Sequence, residues 1–296
     1  MSARNASHAG NWYPRDKKEL SDKLEGWLSG ASRVNCPVKA VIAPHAGYSY
    51  CGAVGAYSYK QFDPRTIKRI FILGPSHHVY LPGCAVSGTS FYNTPLYNLK
   101  IDTKVNEELT SSGLFEVMNI NTDEDEHSIE MQLPYIAKVM EGCPHEFTIV
   151  PILVGSLSTQ KEKEYGQFFS KYLGDPDNFF VISSDFCHWG KRFRFTHHDK
   201  KNRHIYQSIE ALDRMGMDLI EQLQAQEFVD YLKKYGNTIC GRHPIALFLF
   251  AVESLHQSNG PSPKYSFKFL NYAQSNSCQS MGDSSVSYAA GVLMRH

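Results

Sequence analysis

The chain has 296 residues, of which 42% are hydrophobic, 12% aromatic and 20% charged. That balance excludes a disordered polymer and leaves ample apolar material for a core. Thirty basic and thirty acidic side chains cancel, so no overall field draws the chain onto nucleic acid or an anionic membrane.

In chain order, Leu20, Leu24, Trp27 and Leu28 trace the apolar stripe of a first helix. Runs rich in β-branched and aromatic residues predict buried strands at Val38 to Ala43 and Ile67 to Leu73. The segment 83–101, punctuated by Gly83, Gly88 and Pro95, reads as an irregular or hairpin insertion. Helical stripes at 102–113 and 127–141 precede a strand at Phe147 to Val154, and a stripe at 159–173 precedes one at Asn178 to Ser183. Three further helical segments, 200–214, 217–234 and 245–257, lead to strands at Tyr265 to Leu270 and Val286 to Val292. This alternation predicts an α/β fold with a largely parallel or mixed central sheet flanked by helices. No linker, fixed-period repeat or low-complexity tract divides it, so residues 1–296 read as one domain.

The first eleven residues are polar and lack the apolar core of a secretory signal, and no later stretch reaches the roughly 18 apolar residues of a spanning helix. Seven cysteines lie far apart without a CxxC pair. Reduced thiols and a cytoplasmic location fit this usage, with no membrane insertion and no nucleic-acid partner.

Three predicted strands end in turns that carry chemistry, and in open α/β sheets the ligand crevice lies outside the carboxyl ends of the strands. The first runs through Ala43 and Pro44 into His45, the second through Gly74 and Pro75 into His77 and His78, and the third through Ser183 and Ser184 into Asp185, Cys187 and His188. Cys240 precedes an apolar helix that Pro244 can open, a place where the helix dipole favours a thiolate. His127 and Glu130 share one face of a helix that follows the acidic run 123–126.

Each residue also has a plainer reading. A lone histidine is most often a hydrogen-bonded structural group, Cys240 alone is a buried inert thiol, and the acidic run is a solvated helix N-terminus. His197, His198 and His296 read as exposed, and either His77 or His78 could face the crevice. Convergence of three histidine-bearing strand ends shifts the balance toward a metal role for His45 and for His77 or His78, with a cysteine as a further candidate ligand. Imidazole suits zinc, copper and iron, and a thiolate biases the set toward softer or redox-active ions and away from magnesium or calcium, so two imidazoles and a thiolate would leave room for water or substrate. Asp185 and His188 would then orient ligands or move protons. No HExxH, Gly-rich phosphate cradle or GxSxG is present, so zincin protease, nucleotide enzyme and α/β-hydrolase lack their parts.

The ordered motifs PHAGY, GPSHH, DEDEHSIEMQLPY, SSDFCHWG, TICGRHP, LNYAQS and DSSVSYAAG closely resemble the Memo family of mediators of receptor-tyrosine-kinase-driven cell motility. The resemblance covers residues 6–294 and points to the eukaryotic signalling branch. It implies a fold like that of the non-haem-iron extradiol dioxygenases of LigB type. It also implies a metal cleft in which His45, His77 and Cys240 match the ligand positions and Asp185 and His188 line the wall. Cys240 stands where a ring-cleaving dioxygenase would carry a carboxylate. The function implied is a redox-capable copper or iron protein that relays receptor activation to cell migration and the cytoskeleton, with its cleft binding a phosphotyrosine peptide of an ErbB-type receptor. One alternative is a metal-dependent oxidase or dioxygenase acting on a small aromatic substrate, with His188 or His127 as acid or base. Another is a scaffold with a remnant cleft.

Overall fold

The apolar runs Val38–Ala43, Arg69–Pro75, Thr148–Val154 and Asn178–Ser183 form strands in a computed structural model that describes residues 2–259 and 264–296. All four are parallel, in the spatial order Val38–Ala43, Asn178–Ser183, Arg69–Pro75, Thr148–Val154. Their near-continuous hydrophobicity is what a parallel sheet covered on both faces requires. Because strand side chains alternate in direction, Ile42, Phe71, Ile152 and Phe180 enter one core and Val41, Ile72, Leu153 and Val181 the other. The helices Thr159–Gly174, Ile205–Glu221, Ala225–Tyr235 and Arg242–Asn259 contribute to the first core. The helices Lys17–Gly30, Tyr48–Tyr59 and Leu133–Val139 contribute to the second. The result is three layers, helices on both faces of a mixed sheet.

Antiparallel strands extend the sheet at either side. Ser285–Arg295 pairs with Val38–Ala43 and carries Tyr265–Gln274 and the short His188–Trp189. Cys84–Ser87 pairs antiparallel with Thr148–Val154, and Phe115–Met118 closes that end in parallel. Among the described residues no helix is long and apolar enough to cross a membrane.

The structure redraws several expected elements. The stripe at 127–141 is two helices, His127–Glu130 and Leu133–Val139, because Pro134 restarts the helix in its first turn. The boundary expected near residue 215 falls instead at Gln222–Gln224, where Leu223 adopts φ 56°. Within 83–101, Cys84–Ser87 joins the main sheet, while Phe91–Tyr92 and Leu99–Lys100 make the antiparallel hairpin. The helix Tyr48–Tyr59 was not anticipated, since its glycines, alanines and tyrosines give no polar face.

The N-terminal segment is tied across this framework. Ala3–Arg4 pairs in parallel with Phe91–Tyr92, and the Arg4 side chain is buried. Its Nε donates to Asp123 Oδ1 at 3.0 Å, Nη1 to Glu130 Oε2 at 2.6 Å and Nη2 to the Glu126 carbonyl at 2.9 Å. Glu130 also accepts from the His8 N–H at 2.9 Å and the Tyr13 hydroxyl at 2.7 Å. The segment thereby fixes the helices that flank Glu126 and His127. Burial is the largest influence on Glu130 and opposes its ionisation, yet His8, the Arg4 charge and Tyr13 together hold it at about 2, against an ordinary 4.5. A carboxylate with a depressed folded-state value stabilises the fold above its ordinary range and loses that contribution as pH falls toward the folded value. Unfolding free energy should therefore drop between pH 4.5 and about 2, with Glu130 contributing up to about 3 kcal/mol of the loss. Urea unfolding across this range should show a shallower acid dependence for Glu130→Gln than for the wild type.

Candidate metal centre

Asn178–Ser183 lies between Val38–Ala43 and Arg69–Pro75, and all three run in one direction. Their carboxyl ends therefore deliver Asp185, His45 and His77 to one place, the crevice expected of an open α/β sheet. The cleft there has a volume of about 570 Å³, and its walls include Trp12, His45, His77, His127, Asp185 and His188. One donor atom from each of His45, His77 and His127 lies within 4.8 Å of the others. The His77 and His127 rings stack at 4.5 Å, while His45 meets His77 edge-on at 5.2 Å.

His45 is buried, and its Nδ1 lies 2.7 Å from Ser183 Oγ. The Ser183 hydroxyl donates its only proton to the Ser128 carbonyl at 2.7 Å and accepts from Gln132 Nε2 at 2.8 Å. It can therefore only accept from His45, whose proton is fixed on Nδ1, leaving the Nε2 lone pair for another partner. Burial, then the neighbouring His77, His127 and His188, push the His45 pKa well below its ordinary value, so the ring is the neutral form that binds metal.

His77 meets a carboxylate. Its Nδ1 is 2.9 Å from Glu126 Oε1, and its backbone N–H donates to Oε2 at 2.7 Å. Burial is the strongest influence on Glu126 and resists its charge, but bonds from His77 and Ser128 hold it at about 2. The acidic run expected to be a solvated helix start is thus corrected: Asp123 and Glu126 are buried, claimed by Arg4 and His77, and of residues 123–126 only Asp125 is exposed. His127 packs against Trp12 at 4.5 Å with the rings tilted by 34°, and burial, reinforced by His77, pushes its pKa down to about 3. His78 is exposed and stands outside the donor group.

Cys240 sits in the turn before the helix Arg242–Asn259, with Sγ 3.1 Å from His45 Nε2. The Asp185 N–H donates to the same sulfur at 3.2 Å. Among the described residues Cys240 touches His45 but lies outside the group of donors within 4.8 Å of one another. The dipole does not decide its charge as the sequence suggested: burial, followed by the Asp185 carboxyl, pushes the thiol well above its ordinary range. Its single S–H proton has two acceptors within reach, the His45 Nε2 lone pair and the Asp185 carbonyl at 3.5 Å.

Asp185 and His188 also line the cleft, whereas Cys187 is buried in the first core and Glu130 is held by Arg4. Asp185 is buried, its Oδ1 accepts the His45 N–H at 2.8 Å, and burial raises its pKa. His188 places Nδ1 2.9 Å from the Phe186 carbonyl and 3.1 Å from that of Thr238. Both are pure acceptors, so Nδ1 carries a proton and the neutral ring has its lone pair on Nε2. Sequence reasoning missed Trp12, Tyr50, Glu126 and Ser183. Of these, only Ser183, a serine ending an apolar strand, carried a readable signal.

Fold and site together define a three-layer α/β protein with an imidazole-lined cleft at the carboxyl ends of its parallel strands. A family model described as Memo-like protein matches residues 4–292, and the chain belongs to that family. It is 59% identical over 293 residues to Protein MEMO1 of Mus musculus and to that of Homo sapiens, covering 99% of this chain and 98% of each relative. Protein memo-1 homolog of Caenorhabditis elegans is 50% identical over 294 residues, covering 99% of this chain and 83% of the relative. A crystal structure of uncharacterized protein JW3007 from Escherichia coli K12 aligns with a TM-score of 0.51 at 13% identity, over 86% of this chain and 99% of that one. It shows a shared fold.

Gly241 gives Cys240 its place. A Cβ on Gly241 would collide with Ser184 and with the Ser183 carbonyl, so only glycine lets the turn lie against the strand end. Gly241→Ala should lower stability by about 1–3 kcal/mol through overpacking. It should also push Cys240 from His45, seen as faster alkylation of that thiol by iodoacetamide.

Proposed function

We propose that this chain binds a copper or iron ion in the cleft through His45 and His77, with Cys240 as third ligand, and that the site is redox-capable. The observation that carries this reading is the convergence of His45, His77 and His127 donor atoms within 4.8 Å. The donor chemistry fits. His45 is held neutral with Nε2 free, and Cys240 Sγ lies beside that nitrogen at 3.1 Å. Ligation by sulfur requires that the ion displace the thiol proton, which favours softer ions. His127 is near enough to stand in for the sulfur with an ion that prefers nitrogen. A bound copper or iron ion would supply a one-electron couple and a position open to a small ligand.

Around that site the chain's own groups set what can enter. Asp185 holds the His45 turn through the backbone N–H, and His188, bonded through Nδ1, turns Nε2 away from those carbonyls. Trp12, Tyr50 and Phe193 give the cleft aromatic walls, and Arg192 is its cationic group among the described lining residues. We propose on this basis that the occupant in signalling is a phosphotyrosine peptide of an ErbB-type receptor, its anion met by Arg192. The protein would thereby relay receptor tyrosine kinase activation to cell migration from the cytoplasm. The family resemblance of the ordered motifs supports this role. The aromatic walls and the His188 Nε2 favour a second reading, oxidation of a small aromatic substrate with His188 as base.

Elemental analysis of protein purified without chelator, beside anaerobic Cu(I) and Fe(II) titrations, tests the site. Near-stoichiometric binding should be abolished by His45→Ala and His77→Ala. Cys240→Ser should weaken Cu(I) at least tenfold and Fe(II) less. Full occupancy surviving in His45→Ala and His77→Ala would overturn the assignment, and absence of binding in the wild type would leave the cleft as a peptide scaffold.

A further inference from the structure

We propose that Glu126 is a positioning residue that fixes the tautomer of His77 and so decides which of its nitrogens is offered to an ion. This rests on the metal-binding reading and adds the group that governs it. Three N–H donors converge on one buried carboxylate: the His77 backbone amide on Oε2 at 2.7 Å, and His77 Nδ1 and the Ser128 amide on Oε1 at 2.9 and 2.8 Å. A carboxylate can only accept, so the proton of neutral His77 resides on Nδ1 and the lone pair on Nε2.

The carboxylate is itself placed from both sides. The Glu126 carbonyl accepts from Arg4 Nη2 at 2.9 Å, and the Ser128 hydroxyl donates to the Pro75 carbonyl at 2.8 Å, locking the Glu126 turn to the strand that ends in His77. Oε1, already accepting two bonds, leaves His127 Nδ1 at 3.5 Å, beyond a good hydrogen bond. His127 is held by packing against His77 and Trp12. The two imidazoles therefore differ: His77 offers a fixed Nε2 lone pair, whereas no hydrogen bond among the described residues fixes the tautomer of His127.

Glu126→Gln separates this role from simple support. The amide keeps the shape of the carboxylate but offers one acceptor and one donor to three N–H groups. In either orientation the NH₂ opposes one backbone amide, that of Ser128 when it replaces Oε1 or that of His77 when it replaces Oε2, and only the first orientation also faces the imidazole, which can answer by moving its proton. With the amide NH₂ facing His77, the ring must accept at Nδ1 and carry its proton on Nε2, the nitrogen that the ion requires. Histidine-ring ¹⁵N NMR of the metal-free protein, with His77 assigned by its loss in His77→Ala, should show the Nδ1–H form in the wild type and in Glu126→Asp. It should show the Nε2–H form in Glu126→Gln. Anaerobic competition for Cu(I) against a chromophoric chelator should show a 10–100-fold loss of affinity in Glu126→Gln, with Glu126→Asp nearer the wild type.

An Nε2–H tautomer in the wild type, or affinity within twofold of wild type in Glu126→Gln, would overturn the proposal. Should Glu126→Gln fail to fold, the wild-type tautomer and Glu126→Asp still decide it. Wild-type protein that binds no Cu(I) or Fe(II) would remove the metal reading, while the ring spectrum would continue to judge the role of Glu126.

Discussion

The insertion of Asn178–Ser183 between Val38–Ala43 and Arg69–Pro75 is the constraint on which the cleft depends. Residues that are far apart in sequence become neighbours because three parallel strands end at one level. The Ser184 N–H donates to the Ala43 carbonyl at 2.9 Å, continuing the strand pairing to the brink of the site. Beyond it, Asp185 accepts the His45 amide and receives Cys240 against its own amide. Backbone register thus passes directly into side-chain geometry, with few free torsions between them.

Placing so many polar groups in a buried region is costly unless each finds a partner. Ser183 shows how the cost is met: a single hydroxyl serves His45, Gln132 and the Ser128 carbonyl. Gln132 reaches on to the Pro44 carbonyl and accepts from the Tyr59 hydroxyl. The helix Tyr48–Tyr59, the turn after Val38–Ala43 and the strand Asn178–Ser183 are joined by this network. A substitution at Ser183 or Gln132 would strand several buried groups at once, which makes these positions as consequential as the histidines they support.

Much of this was legible in the sequence, and the exceptions have physical causes. The four parallel strands announced themselves because burial on both faces demands unbroken apolar runs. His45, His77, Asp185 and His188, which the fold brings to the cleft walls, were readable because polar residues directly after such runs have few structural reasons to be there; Cys240, read before an apolar helix, lies beside His45 but is not among the lining residues. The acidic run 123–126 misled because charge alone says nothing about its partners: Asp123 is met by Arg4, Ser87 and Tyr92, and Glu126 by His77, all from other parts of the chain. Trp12 lies in a polar segment with no period. Its role follows from where Arg4, His8 and Tyr13 anchor that segment on the helices after residue 119. Tyr48–Tyr59 escaped because a helix buried on nearly all sides has no amphipathic signature.

The contact between Cys240 and His45 spans 195 positions, and that between Arg4 and Glu130 spans 126. Such separations mean that long loops must close before these contacts form. A ribosome delivers residues in order, so His45 and His77 emerge well before the thiol that faces them, and Arg4 waits unpaired until the helix His127–Glu130 has been made. The cleft is consequently complete only once Cys240 has joined the chain and closed on His45. Its histidines spend the early life of the nascent chain as separate, solvent-exposed imidazoles, and an ion arriving then would meet only weak, scattered ligands.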